Sequence, residues 1–301
     1  MLRIIPQANA TPRLLPVHSK LSTFLPLAGF RRSVCRGALA CGLALAAVGM
    51  ARAAPAADEG WELLAGYLFR DAHDAFTREP AGPDRMRALG EAASLLNAPP
   101  VTAGRVAQAE EQLRGLVAAN PADEPALYAR YLLARIAHLH RPAEGAEIES
   151  AYRAVISASP GHPLAQLAAG KLALLLLYER PDLAVPQRLA AAAALAPVAG
   201  AAAPLPETAG AYYRALANAA LYYDVLDERV LAWLQRADAI GTGDVVNATG
   251  LRIQLAEVAR ALGRREEALG YYRQFLATAV PTDNRYRTAA ERMTELEKEP
   301  K

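Results

Sequence analysis

Few residues in this chain have the types and spacing that chemistry needs. Beyond residue 60 the histidines are His73, His138, His140 and His162. His138 and His140 are two apart, so on a helix they point in different directions and do not converge on one metal ion. Asp71, His73 and Asp74 form a local acid–imidazole cluster, but no H-E-x-x-H or comparable ligand spacing goes with it. The acid pairs Glu110-Glu111 and Glu266-Glu267 fall on exposed helix faces, and nothing in the pattern favours glycosidase-type carboxylates. There is no G-x-S-x-G elbow, no glycine loop to cradle a phosphate and no G-x-G-x-x-G opening a helix after a strand. The expectation is a protein that is not an enzyme, with no catalytic residue, no metal ligand and no cofactor.

The elements around these residues are helices. The clearest stretch runs from Leu251 to Leu296. Leu251, Leu255, Val258, Ala259 and Leu262 recur at the spacing of one helix face. Gly263 follows and can take the left-handed conformation that ends a helix. A second helix starts at Arg264, with Ala268, Leu269, Tyr272, Phe275 and Leu276 inward, and Pro281 stops it because proline has no N–H to donate. Close helix crossings need small side chains, here Ala256, Ala268 and Ala290, with an aromatic such as Tyr272 filling the space beside them. Three adjacent tyrosine pairs, Tyr212-Tyr213, Tyr222-Tyr223 and Tyr271-Tyr272, predict one packed ring and one nearer the rim in each pair.

This stretch resembles a tetratricopeptide repeat. Gly263-Arg264-Arg265-Glu266-Glu267-Ala268-Leu269-Gly270-Tyr271-Tyr272 matches the family's second-helix signature. Leu255 and Ala256 match the large–small pair of the first helix, and Tyr286 and Ala290 the first helix of the next unit. The resemblance implies an all-α fold, a right-handed superhelical solenoid of antiparallel helix pairs whose first helices line a groove for a peptide or partner helix. Carried over onto this sequence, the groove residues are Gln254, Glu257, Arg260, Asn284, Arg287 and Glu291. They lie off the apolar stripe and mix donors with both signs of charge.

The rest of the chain carries the same punctuation. Asp84 reads as an N-cap for a helix through Leu96. Trp61, Leu64, Leu68 and Phe76 read as one stripe, broken at Glu79–Pro83. Further helices are expected over 101–119, 125–140, 144–158, 162–178, 208–224 and 227–240. The stops at Pro121 and Pro160 lie 39 residues apart, and Pro281 lies 121 beyond Pro160, close to three further units. A period near 40 built of helix pairs is the mark of a solenoid. The proline-broken, alanine-rich segment 190–206 reads as a joint between two halves or as a loose loop.

At the N-terminus Arg31, Arg32 and Arg36 precede an apolar run from Ala38 to Met50 and an Ala51-Arg52-Ala53 site. That order describes a secretory signal peptide cleaved near Ala53, with export by the general or the twin-arginine route. Seven of the 33 basic residues and none of the 31 acidic ones fall in residues 1–53. The remainder carries 26 against 31, a formal charge of −5, and loses both Cys35 and Cys41. No basic field is left for nucleic acid, and no disulfide or thiolate chemistry. The expected domains are therefore a signal segment over 1–53 and a helical-repeat domain over 54–301. The expected function is an exported periplasmic scaffold that binds a protein or peptide. The alternatives are a subunit of an envelope assembly attached to the membrane and, behind it, a cell-wall enzyme. Oligomeric state is left open.

Overall fold

The computed structural model describes residues 55–78, 84–141 and 143–298. The expected signal segment, its cleavage site at Ala53 and the break at Glu79–Pro83 lie outside these residues. Among the described residues the regular structure is entirely helical. The helices are α1 (Pro55–Ala65), α2 (Phe69–Thr77), α3 (Arg85–Asn97), α4 (Ala103–Ala119), α5 (Glu124–Leu139), α6 (Gly145–Ala158) and α7 (Pro163–Tyr178). They continue with α8 (Val185–Ala193), α9 (Ala196–Ala199), α10 (Pro206–Tyr222), α11 (Glu228–Ile240), α12 (Val245–Ala261), α13 (Arg265–Thr278) and α14 (Tyr286–Lys298).

Local chemistry sets most of these boundaries. Asp84 Oδ1 accepts the amides of Met86 and Arg87 at the start of α3, Asp123 caps α5, Asp227 caps α11 and Asp244 caps α12. Each carboxylate satisfies amides that have no partner inside the helix. Pro163 and Pro206 open α7 and α10, where a missing N–H costs nothing. Gly263 has φ +74° and turns the chain between α12 and α13, a conformation that only glycine adopts without cost.

Neighbours in sequence are neighbours in space. Consecutive helices pack on one another from α1 to α8 and again from α9 to α14, and α7 also meets α10 and α9. The helices α3, α5, α7, α10, α12 and α14 begin at Arg85, Glu124, Pro163, Pro206, Val245 and Tyr286, intervals of about 40 residues. Helix α3 touches α5, α5 touches α7 and α7 touches α10. Arg85 strengthens the first of these contacts. Its guanidinium clasps Asp123 at 2.6 and 3.1 Å and also donates to the Leu116 carbonyl.

Two expectations change. The stripe Trp61–Leu64–Leu68–Phe76 is not one helix. Helix α1 ends at Ala65, Tyr67 takes φ +64°, and Leu68 is 51 % exposed while Trp61, Leu64 and Phe76 are buried. The turn lets Phe76 fold back. Its ring lies against Gly60 and Gly90 and meets Trp61 edge-on at 5.3 Å.

The 190–206 segment is likewise no loose loop. Residues 190–193 and 196–199 belong to α8 and α9, and the stretch that follows them is clamped by the amide of Gln166 on α7. Gln166 donates to the carbonyls of Ala201 (2.7 Å) and Leu205 (3.0 Å) and accepts the Leu205 amide (2.9 Å), and only 1 % of it is exposed. Tyr212 adds a hydrogen bond from α10 to the carbonyl of Ala192.

Two substitutions test this account. Gly90→Ala places a methyl inside the Phe76 ring. It should cost about 1–3 kcal/mol in urea unfolding and change the emission of the neighbouring Trp61. Gln166→Leu leaves two carbonyls and one amide without partners at a buried site. It should cost about 2–4 kcal/mol and open residues 195–206 to limited proteolysis.

Candidate functional site

The polar cluster with the most unusual burial lies where α12, α13 and α14 meet. Helix α12 is packed by α11 on one side and α13 on another, and its residues Leu255 to Val258 are all buried. Glu257 is one of them, at 6 % exposure. A carboxylate in such a place must be paired and hydrogen-bonded. Tyr272 of α13 donates its hydroxyl to Glu257 Oε1 at 2.6 Å, Arg292 of α14 forms an ion pair with the same oxygen, and Arg260 approaches Oε2 at 3.3 Å. Burial first, and then the carboxylate beside it, push the Tyr272 phenol above its ordinary value.

Next to this cluster a cavity of about 170 Å³ is lined by Arg260, Gly263, Arg265, Arg292, Glu295 and Leu296. Arg265 donates its Nε to the Leu296 carbonyl at 2.8 Å and pairs with Glu266. The Nε of Arg260 is buried without a hydrogen-bond partner.

The six residues expected to share a groove do not share one environment. Glu257 faces inward, because α12 is covered on several sides and no solvated face remains at that position. Arg260 borders the cavity, and Gln254 donates to Asn218 of α10 at 2.7 Å, joining α12 to α10. Asn284 is exposed in the turn before α14. Arg287 and Glu291 pair with each other at 3.2 Å on the outer face of α14, their side chains 90 % and 59 % exposed. Of the expected packing residues, Leu255, Ala256, Ala268 and Tyr272 are fully buried. In α14 the small buried residue is Ala289 and not Ala290, since Ala289 and Leu296 are two turns apart on the face that meets α13.

Arg292 and Arg265 are absent from the expected set. The signal for Arg292 is an arginine between Ala289 and Leu296 on a buried stripe, which calls for a buried acid on a neighbouring helix.

Two other polar groups have the look of catalytic relays, and both have the wrong polarity or exposure. His138 stands between Tyr152 (3.0 Å from Nδ1) and Glu179 (3.1 Å from Nε2). The carboxylate only accepts, so Nε2 carries the proton and Nδ1 accepts from the phenol. Tyr152 is 1 % exposed and burial raises its phenol well above the ordinary value, so it is no nucleophile. The relay pins α5, α6 and the end of α7 together. His73 meets Ser94 at 3.2 Å, but the Ser94 hydroxyl already donates to the Glu91 carbonyl at 2.7 Å. The imidazole must therefore donate to Ser94 and cannot take its proton. Among the described residues no group of three or more His, Cys, Asp or Glu side chains could hold a metal ion.

No protein-family model matches the chain, and no curated protein matches it.

The Glu257 cluster makes a graded prediction. Tyr272→Phe removes one donor and should cost about 1–2 kcal/mol of stability. Glu257→Ala strands a half-buried arginine and a buried phenol and should cost about 2–4 kcal/mol. Chemical denaturation of the two variants, compared at pH 7, checks the order.

Proposed function

We propose that this protein is an exported helical-repeat adaptor of the tetratricopeptide type. It would act by binding a protein or peptide partner in a bacterial periplasm or envelope. Six first helices recur at intervals of about 40 residues, and this observation carries the reading. Such an array buries its core between neighbours and leaves a long surface over which a partner can be held. In the right-handed solenoid this implies, α5, α7, α10 and α12 line the groove, and the Gln254–Asn218 contact between α10 and α12 supports their stacking in register. The polar relays already described are accounted for by packing between helices, which supports a reading in which the surface does the recognising.

No helix among the described residues is long and apolar enough to cross a membrane. The export half of the reading rests on the basic, apolar and small-residue order of residues 31–53.

Reversible crosslinking followed by affinity capture from envelope extracts should recover one or a few partners in stoichiometric amounts. Recovery of the bait alone would count against the adaptor. Osmotic release should yield a chain starting near Ala54, whereas an uncleaved N-terminus would contradict export through a cleaved signal.

A further inference from the structure

We propose that the α1–α2 and α3–α4 turns form a tip that inserts into the surface of a lipid bilayer. The tip is separate from the groove and does not depend on the adaptor reading.

Exposure locates it. Among the described residues eight large apolar side chains are exposed, and Tyr67, Leu68 and Val101 (55, 51 and 44 %) lie in these two turns. Pro99 and Pro100 beside Val101 are exposed as well, and Phe69 meets the Tyr67 ring edge-on at 6.2 Å. Helix α1 packs on α3. Arg70, at the end of the first turn, donates through Nε and Nη2 to the Pro99 carbonyl of the second, at 3.0 and 2.8 Å. The apolar residues therefore form one patch, unlike the single exposed side chains common on any surface.

The backbone of Tyr67 is the second observation. Helices often end on a glycine in the left-handed conformation, yet here a tyrosine holds φ +64°, directly after Gly66. That conformation costs a bulky residue free energy that glycine avoids. The fold recovers little of it from the ring, since more than half of Tyr67 stays exposed. A surface outside the chain that covers the ring accounts for a tyrosine at this position.

The chemistry of the turns selects a bilayer. Backbone polar groups that enter lipid must be satisfied from within the protein. The amides of Gly66, Tyr67 and Leu68 donate to the carbonyls of Glu62, Leu64 and Leu63. The carbonyls of Ala98 and Pro100 accept from Arg105 and that of Pro99 from Arg70, while the two prolines have no N–H to satisfy. Tyrosine suits the membrane–water boundary, with an apolar ring and a polar hydroxyl. The charged residues over 62–71 and 97–105 are Glu62, Arg70, Asp71 and Arg105, which cancel. Insertion therefore rests on apolar contact, and a zwitterionic lipid surface serves as well as an anionic one.

The test is flotation of the purified protein with vesicles of phosphatidylcholine, alone or mixed with phosphatidylglycerol. The native chain and its variants share one N-terminus, so differences between them report the turns. Binding to both kinds of vesicle, within about twofold of one another, is expected. Leu68→Ser and Tyr67→Asn should each weaken it about fivefold or more. Asparagine tolerates the left-handed backbone, so Tyr67→Asn should keep or raise the urea midpoint while binding falls. Val246→Ser, at an exposed valine in α12, should bind as the native chain does. The proposal is overturned if the native protein floats with neither vesicle, or only with the anionic one. It is also overturned if Leu68→Ser and Tyr67→Asn bind as the native chain does, or if Val246→Ser loses as much as they do. Sedimentation equilibrium on the same proteins covers the other occupant: a dimer that Leu68→Ser dissolves would assign the patch to a second copy of the chain and overturn the proposal.

Discussion

Helix α7 sets the conditions for the rest of the chain. It is surrounded by α5, α6, α8, α9 and α10, so most of its positions are apolar and buried, with Gly170, Lys171, Leu174 and Tyr178 left half-buried. Five partners can approach one helix only if some of its side chains are small. Ala165, Ala168, Ala169 and Ala173 supply that and are at most 1 % exposed, while Leu172, Leu175, Leu176 and Leu177 fill the remaining space. The single buried amide on this helix, Gln166, is spent on the backbone of the segment leading into α10. That segment is what carries the chain from the pairs before α7 to the pairs after it.

Away from α7, paired charges are added to apolar contact. At the α3–α5 end Arg85 reaches Asp123, and at the α12–α14 end Arg292 reaches Glu257. At both places the charges are paired and hydrogen-bonded, and they fix the register of one helix against another in addition to apolar contact. The two ends differ in consequence. Asp123 is the cap of α5 and its pairing is complete. Glu257 holds two arginines at once, Arg260 and Arg292, beside a cavity that Glu295 also lines.

Much of this was legible along the chain because it is local. Asp84 announces a helix start through its own carboxylate, Gly263 announces a stop through its backbone freedom, and Pro121, Pro160 and Pro281 each follow the end of a helix. What was not legible depends on residues far apart in sequence. The chain breaks between Leu64 and Leu68 although both fit one helical face, because Phe76 must return to Gly60 and Gly90. The 190–206 segment reads as loose from its own composition, yet the side chain that fixes it sits on α7. Glu257 reads as solvated, as glutamates usually are, yet its main partner is on α14. The cavity arises from three helices and has no linear signature.

The central claim is that stability passes from pair to pair, with α7 the most deeply held. Hydrogen exchange resolved helix by helix on the intact protein measures this most directly. The account predicts the highest protection in α5–α7 and a graded fall toward α14, as nearest-neighbour stabilisation requires. Equal protection across all helices, lost in one concerted transition, would contradict it.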